Sequence, residues 1–389
     1  MKYLVIFFML CAPLMGMAQH IQPVLKSIEQ NNLELQSQKQ RLDAQKMQNR
    51  TVNNLSDPTT SYGNSYSNLP HKGHSTDVTV VQSFDFPTLY RARYRQATQE
   101  NQAVDASYQT LRRDILLRAK LLCLELVRLN QEANLMELRM KHADELQTLY
   151  ETRLQTGDAN MLEVNKIKIE RMNVKTELAR IHASHRLALQ SLLAMNGNKP
   201  IEFGQAVYPE VTPIESYDLM RDRVVSSDRG LKMAEAYAKA AEKQVRVTKQ
   251  QWLPKLQVGY TWSKDDVEKN NGFIVGASLP IFSNRKKVKI AQAQAISRKL
   301  EKEHAQLILE NELMAQFNEM QQYKEALDAC DVNVLNHSLS LLNQALDEGE
   351  LSLIDYLIEA ERVYVSLQNR MQLEHQYQQA MAIINKNEL

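Results

Sequence analysis

The sequence predicts a mainly α-helical protein with a small β part, built from one structural unit that occurs twice. Three observations support this fold class. The 389 residues include only 11 Gly and 10 Pro, too few turn formers for an all-β protein or an α/β enzyme with glycine loops. Two long segments, 88–156 and 285–348, contain neither residue type. A pair of short β-like segments precedes each of them.

The first 18 residues have the pattern of a secretory signal peptide. Lys2 is followed by an apolar run to Leu14, and Gly16 and Ala18 form a small-residue cleavage site. The run is too short for the alternative, a membrane anchor. Cys11 lacks the small preceding residue of a lipid-attachment site. A balanced charge, 47 basic against 46 acidic residues, argues against a nucleic-acid partner.

The first repeat, residues 19–200, opens with a helical segment rich in Gln, Leu and Lys. Two β-like segments follow, and Pro70 and Gly73 separate them. The long helix then runs to Gly157, and a further helix ends at the Gly- and Pro-containing cluster 196–200. The predicted elements are helix 21–55, strands 59–69 and 76–86, and helices 88–156 and 160–195.

The second repeat, residues 214–389, follows a proline-containing connector, 201–213, and has the same order. Its predicted elements are helix 214–252, strands 255–263 and 273–282, and helices 285–348 and 351–386. Landmarks match in order between the two repeats: Phe86 with Phe282, Ala97 with Ala293, and Gly157 with Gly349. This shared order favours duplication of one unit over chance similarity between helices.

The long helices need neighbours along their length. At a rise of 1.5 Å per residue each would extend about 100 Å. Apolar residues from Leu122 to Ala143 form a seam with a spacing of about 3.5 residues, and a second seam starts at Leu117 on an adjacent flank. Two seams favour a helix in a ring or wall of helices. A rod-like coiled coil, which needs one seam, is the alternative.

The β-like segments alternate with a period of two. In 255–263, Leu256, Val258, Tyr260 and Trp262 share one face, and the length is about that of a tilted bilayer-spanning strand. We therefore predict that these four side chains face the membrane. Four strands are too few to close a barrel, so they form either a soluble sheet or a barrel shared between chains. Three chains would supply twelve strands.

In this order, the segments resemble the TolC-like outer-membrane efflux protein family. The resemblance rests on the junctions VVQSFDFPTLYRARYRQA (80–97) and GASLPIFSNRKKVKIAQAQA (276–295), the strand entry QWLPKLQVGY (251–260), and the helix-turn-helix tips RLQTGDANMLEVNKIK (153–168) and ALDEGELSLIDYLIEAE (345–361). It implies a homotrimer, with a shared 12-stranded transmembrane β-barrel in outer-membrane lipid. Below the barrel, long antiparallel helices form a trimeric α-barrel tunnel across the periplasm.

Members of this family are passive exit ducts for drugs, metals or proteins. The resemblance therefore implies that the chain works with two protein partners. An inner-membrane pump supplies the energy, and a periplasmic adaptor docks on the helix tips. By resemblance the docking residues are Gly157, Asp158, Gly349 and Glu350. A glycine suits such a reversal because it often needs positive φ, although helix capping alone is equally compatible.

The resemblance also implies a pore constriction near the second tip. Asp355 matches the first aspartate of an acidic ring found in some relatives. The position of the second aspartate, which forms a second acidic ring in those relatives, is occupied here by Ile358, with Glu359 beside it. The sequence therefore departs from the two-ring pattern. Glu163 is the first-repeat counterpart. Three converging carboxylates would make a gate responsive to cations, whereas a solvated carboxylate at a helix N-terminus is the alternative for each residue.

No HExxH, GxSxG, P-loop or CxxC motif occurs, so we expect no enzyme activity, no cofactor and no metal site. His71 and His74, in a predicted loop, are weak metal candidates. Cys123 and Cys330 are expected to pack in helices rather than form a disulfide. Two alternatives to a channel are a periplasmic coiled-coil scaffold without a pore and an enzyme with an unrecognised site. The membrane-length strands favour the channel.

Overall fold

The computed structural model describes residues 21–66, 73–211 and 216–389. The predicted signal peptide, the end of the first predicted strand, His71 and the last connector residues lie outside these ranges. No helix in the described part of the chain is both long and apolar enough to cross a bilayer. The elements of the first repeat are α1 (Ile21–Asn31), α2 (Leu33–Thr51), β1 (Thr59–Tyr66), β2 (His74–Phe84), α3 (Pro87–Thr156) and α4 (Met161–Met195).

The second repeat has the same order of elements, with one more helix. It comprises α5 (Tyr217–Ser227), α6 (Arg229–Gln250), β3 (Lys255–Lys264), β4 (Lys269–Ser278), α7 (Lys287–Asp328), α8 (Val332–Asp347) and α9 (Leu353–Ile384). A short 3-10 turn, Lys386–Glu388, follows α9.

The four strands form one antiparallel sheet in the order β1-β2-β3-β4. Each hairpin comes from one repeat, and β2 joins them by pairing with β3, with Val80 opposite Tyr260. The strands β1 and β4 are therefore the two edges of the sheet within one chain.

The fourth strand lies four residues earlier than predicted, at Lys269–Ser278 instead of 273–282. The reason is a tight turn after β3. The Asp265 carboxylate accepts hydrogen bonds from the backbone N–H groups of Val267 and Glu268, at 2.9 and 2.6 Å. The strand can therefore start at Lys269, opposite Lys264, and it ends before Pro280, which cannot donate to a sheet ladder.

Three predicted helices are interrupted by Asn or Asp side chains. Asn32 separates α1 from α2, and its side chain donates to the Met195 carbonyl at 2.8 Å. Asp228 caps α6 by accepting from the Leu231 N–H at 2.7 Å. The predicted helix 285–348 is two helices, because Asp331 caps α8. The equivalent first-repeat helix, α3, is continuous.

The chain divides into two compact units. The sheet unit comprises residues 34–113 and 215–315, and so holds all four strands. The tip unit comprises the described residues of 1–33, 114–214 and 316–389, and so holds both helix reversals. Both cysteines within the described ranges, Cys123 and Cys330, are free thiols and lie in the tip unit.

A buried ion pair stabilises the sheet unit. Arg113 Nη1 lies 3.1 Å from Asp228 Oδ2, and the two side chains are 8% and 6% exposed. Asp228 therefore serves both as the α6 cap and as the partner of a buried cation.

Polar contacts link the connector to α3 and α9 within the tip unit. Tyr208, on the connector, lies with its hydroxyl 3.3 Å from Nδ1 of buried His375 on α9. The other ring nitrogen of His375 lies 3.1 Å from a Glu125 carboxylate oxygen on α3. Burial raises the pKa of Glu125, but hydrogen bonds from His375 and Arg128 outweigh it and lower the pKa to about 2.

Candidate functional site

The sheet carries a large exposed apolar face. Register places Val258 opposite Val275 and Tyr260 opposite Phe273, and the last two rings meet edge to face at 5.7 Å. Phe273 and Val275 are 86% and 83% exposed. An exposed apolar surface of this extent needs a covering partner or a membrane.

The predicted membrane-facing residues all lie on this face. Leu256, Val258 and Tyr260 are exposed, and Trp262 is half-buried opposite Val78. A sheet with these side chains turned to water would be poorly soluble, so their exposure marks the face as an interaction surface.

The opposite face is polar and rich in glycine. The Thr79 and Thr261 hydroxyls lie 3.0 Å apart, and Gln257 is 3.5 Å from the Ser83 hydroxyl. At Gly259 a Cβ atom would lie 2.7 Å from the Val80 carbonyl oxygen, so only glycine fits there. Strands with one apolar and one polar face are typical of transmembrane barrels.

The sheet has two open edges within one chain. Among the residues that the structure describes, the strands β1 and β4 each pair on one side only. In hydrocarbon, every backbone N–H or C=O group without a partner costs several kcal/mol. A sheet that presents an apolar face to lipid therefore needs further strands at both edges.

The two helix reversals have the same geometry. Gly157 and Gly349 have φ of 85° and 77°, as predicted for these turns. A Cβ atom at either position would meet nothing within 4 Å, so backbone conformation alone accounts for glycine there. In both turns the next residue, Asp158 or Glu350, donates its N–H to the carbonyl five positions earlier, as in a Schellman motif. All four predicted tip residues are exposed.

The predicted gate carboxylates Glu163 and Asp355 lie in the first turns of α4 and α9, where each bonds to the N-cap residue. Glu163 Oε2 accepts from the Asn160 N–H at 2.8 Å, and the Asn160 side chain accepts from the Glu163 N–H in return. Asp355 Oδ2 accepts from the Ser352 hydroxyl at 2.6 Å, and Ser352 Oγ accepts from the Asp355 N–H. The predicted alternative, a carboxylate at a helix N-terminus, therefore describes both positions, and it leaves the exposed Asp355 side chain open to further contacts.

The third predicted gate residue, Glu359, has a different partner. Its Oε1 atom lies 2.8 Å from Arg362 Nη1, one helical turn away on α9. The side chain therefore belongs to a surface ion pair within one helix.

A cluster around Arg139 connects the two repeats behind the tips. Arg139, on α3, lies 2.6 Å from Glu170 on α4 and also pairs with Glu361 on α9. Its guanidinium lies over the Tyr364 ring, 4.7 Å from the centroid. Sequence reasoning missed this cluster, because no local spacing relates a residue on α3 to partners on α9.

An apolar core lies beside this cluster. It includes Tyr150, Val164, Ile167, Leu346, Leu353, Tyr356, Ala360 and Tyr364, from the helices of both reversals. The hydroxyl of Tyr356 donates to Asn343 Oδ1 at 2.7 Å. No group of three or more His, Cys, Asp or Glu side chains within the described ranges is placed to hold a metal ion.

The fold matches those of solved membrane proteins, among them CusC, which forms a transmembrane channel, the outer membrane channel CmeC, and the outer membrane protein VceC. Over 94% of this chain and 91% of the other, it superposes on CusC with a TM-score of 0.78 and 13% identity. For CmeC of Campylobacter jejuni the coverage is 94% and 85%, the TM-score 0.70 and the identity 16%. For VceC of Vibrio cholerae the values are 94% and 95%, 0.72 and 19%. The chain therefore has the fold that these solved proteins share.

Part of the sequence also matches a family model. Residues 221–386, most of the second repeat, match the family described as Outer membrane efflux protein. A comparison with curated proteins gave no match. The resemblance to the TolC-like outer-membrane efflux protein family is thereby confirmed.

Proposed function

We propose that this chain is the outer-membrane channel of a tripartite efflux or secretion system. Three copies form a passive exit duct, with the four-stranded sheets in the outer membrane and the helices in the periplasm. A periplasmic adaptor docks on the tips, and an inner-membrane pump supplies the energy. Neither the family nor the similar structures are enzymes, and transport through a duct requires no catalytic group.

One observation carries the proposal: an apolar sheet face combined with two open edges. Three sheets of four strands supply twelve, above the number with which small membrane barrels begin. A periplasmic scaffold without a pore is not favoured, because it has no use for exposed Phe273 and Val275 on a strand of membrane length.

The gate of the proposed duct lies at the helix tips. The Asp355 carboxylate is exposed and begins α9, next to the reversal at Gly349. Three copies of it around a closed tip attract cations and repel one another. Glu163 and Glu359 add negative charge to the same region, and the exposed residues Gly157, Asp158, Gly349 and Glu350 form the adaptor contact.

Fractionation and conductance test the proposal. The channel is expected in the outer-membrane pellet as a trimer that resists SDS until heated, and the purified trimer is expected to conduct in planar bilayers. A monomer in the soluble periplasmic fraction that never conducts would overturn the proposal.

A further inference from the structure

We infer that the helix-proximal end of the sheet carries a binding surface for anionic phospholipid headgroups. This inference rests on the proposed function, because it needs the sheet to lie in the outer membrane. The surface, here called the basic collar, consists of Lys249, Lys255, Arg285, Lys286, Lys287 and Lys289.

Strand register places the collar at one end of the sheet. Lys255, the first residue of β3, lies opposite Ser278, the last residue of β4. The segment after β4 is tied back to the end of α6, because the Asn284 side chain donates to the Gln251 carbonyl. Asn284 is 4% exposed and its Oδ1 atom accepts from Lys287 Nζ at 3.2 Å, so the collar has a defined structure.

The collar has almost no acidic neighbours. No Asp or Glu occurs from 243 to 264, or from 269 to 300, although the whole chain has a net charge of only +1. Within the described part of the sheet unit, the only carboxylate near a collar ammonium in an ion pair is Asp85, 3.7 Å from Lys255. Asp85 is itself paired with Arg93 at 2.6 Å. Apart from Lys255, the exposed collar cations therefore have no carboxylate partner in an ion pair among the described residues.

The equivalent end of the first repeat shows the same bias. Residues 86–99 include no acidic residue and expose Arg91 and Arg95 at the start of α3. The helix dipole does not account for these cations, since the N-terminal end of a helix favours negative charge and both lie beyond the first turn of α3. A negatively charged partner outside the chain does account for them.

Large apolar side chains lie among the collar cations. Leu279, Ile281 and Phe282 are 64%, 60% and 90% exposed, and Trp252 is 45% exposed. Aromatic and basic side chains together are typical of a membrane–water interface, where rings lie among headgroups and cations meet phosphates. The apolar sheet face continues into this segment through Leu256, opposite Ala277. A lipid leaflet therefore matches both parts of the surface, whereas a soluble anion matches only the cations.

Tryptophan quenching by brominated lipid tests the collar. The chain has two tryptophans, so Trp262→Phe leaves Trp252 as the reporter beside the collar. The full-length trimer is reconstituted into phosphatidylethanolamine vesicles that contain either brominated phosphatidylglycerol or brominated phosphatidylethanolamine. A basic residue near an anionic surface changes local lipid occupancy about fivefold. We expect at least that preference for phosphatidylglycerol at low salt.

The R285Q/K286Q/K289Q variant is expected to lose the preference. A matched variant, K175Q/K232Q/K299Q, removes three exposed cations elsewhere and is expected to retain it. If the triple variant fails to form heat-modifiable trimers, the single variant K289Q replaces it in the assay and is expected to lose part of the preference. Equal quenching by the two lipids in the wild-type collar, or a preference unchanged in both collar variants, would overturn the inference.

Conductance of the same preparations separates this inference from the proposed function. A channel that conducts but shows no preference for phosphatidylglycerol overturns only the inference that the basic collar binds anionic phospholipid. A protein that neither inserts nor conducts overturns both. Retention on purified peptidoglycan that depends on the collar, without a phosphatidylglycerol preference, overturns the lipid assignment in favour of a cell-wall polymer.

Discussion

Replacing Arg139 by Met is expected to open the proposed channel at rest. Arg139 and Glu170 belong to the same pair of helices, α3 and α4, whereas Glu361 and Tyr364 belong to α9 of the second repeat. An opening that separates the repeats at the tips breaks the contacts to α9 and leaves the Arg139–Glu170 pair intact. Only the contacts to α9 therefore favour the closed state.

The free energy that the contacts to α9 contribute to closure follows from how exposed each partner side chain is. Glu361 is 50% exposed, so its ion pair contributes about 0–1 kcal/mol. The Tyr364 residue is 4% exposed, which places its cation–π contact near the upper range of about 2 kcal/mol. Together they favour closure by about 2–3 kcal/mol per protomer, which corresponds to a change of about 30- to 150-fold in the ratio of open to closed states of that protomer.

Resting conductance of purified trimers in planar bilayers measures this ratio. Arg139→Met is expected to raise it strongly, and Glu361→Gln by less than about fivefold. High salt should reduce the Glu361 contribution, because the Debye length is only about 3 Å at 1 M. The Tyr364→Phe variant keeps the ring and is the matched control, with conductance near wild type. Wild-type conductance in Arg139→Met, with trimer content unchanged, would refute the reasoning.

Three other substitutions test separate parts of the structure. Asp355→Ala is expected to raise resting conductance and weaken cation block, and an unchanged block would exclude Asp355 from the gate. Asp228→Asn keeps a side chain that caps helices but removes the negative charge of a buried ion pair. We therefore expect the free energy of unfolding, measured by denaturant titration, to fall by about 3–5 kcal/mol. Asp228→Ala also removes the helix cap and should cost about 1 kcal/mol more. A cost below 1 kcal/mol in both variants would contradict the buried pair. The pKa of Glu125 is lowered on folding, so its stabilisation is complete above pH 4.5 and is lost as pH falls toward 2. Glu125→Gln should therefore flatten this part of the acid unfolding curve followed by circular dichroism, and an unchanged curve would contradict it.

Regular patterns along the sequence made much of the fold predictable. Segments without Gly or Pro gave helices such as α3, and period-two alternation placed Leu256 and Val258 on the exposed apolar face of the sheet. The positive φ at Gly157 and Gly349 was predictable because few other residues tolerate it at a reversal. In each case a local physical constraint acts on the residue itself.

The helix breaks were missed because Asn and Asp interrupt helices without a Gly or Pro signal. Asn32, Asp228 and Asp331 fit within helical composition, and only their hydrogen bonds show that they end or begin a helix. The start of β4 was missed for a similar reason, since the Asp265 side chain closes a turn that composition does not mark. The Arg139 cluster depends on packing between distant helices, which spacing along the chain does not encode.

The two edges of the sheet limit how copies can assemble. One edge, β1, comes from the first repeat and the other, β4, from the second, so the edges differ in sequence and side-chain character. On β1 the large exposed side chains are Tyr62 and Tyr66, whereas β4 presents Phe273 and Val275. If β1 of one copy pairs with β4 of the next, the interface is head to tail, and only a closed ring leaves no edge unpaired. Pairing of two identical edges would give a dimer with two edges still open in lipid, so the proposed trimer satisfies a requirement that such a dimer does not.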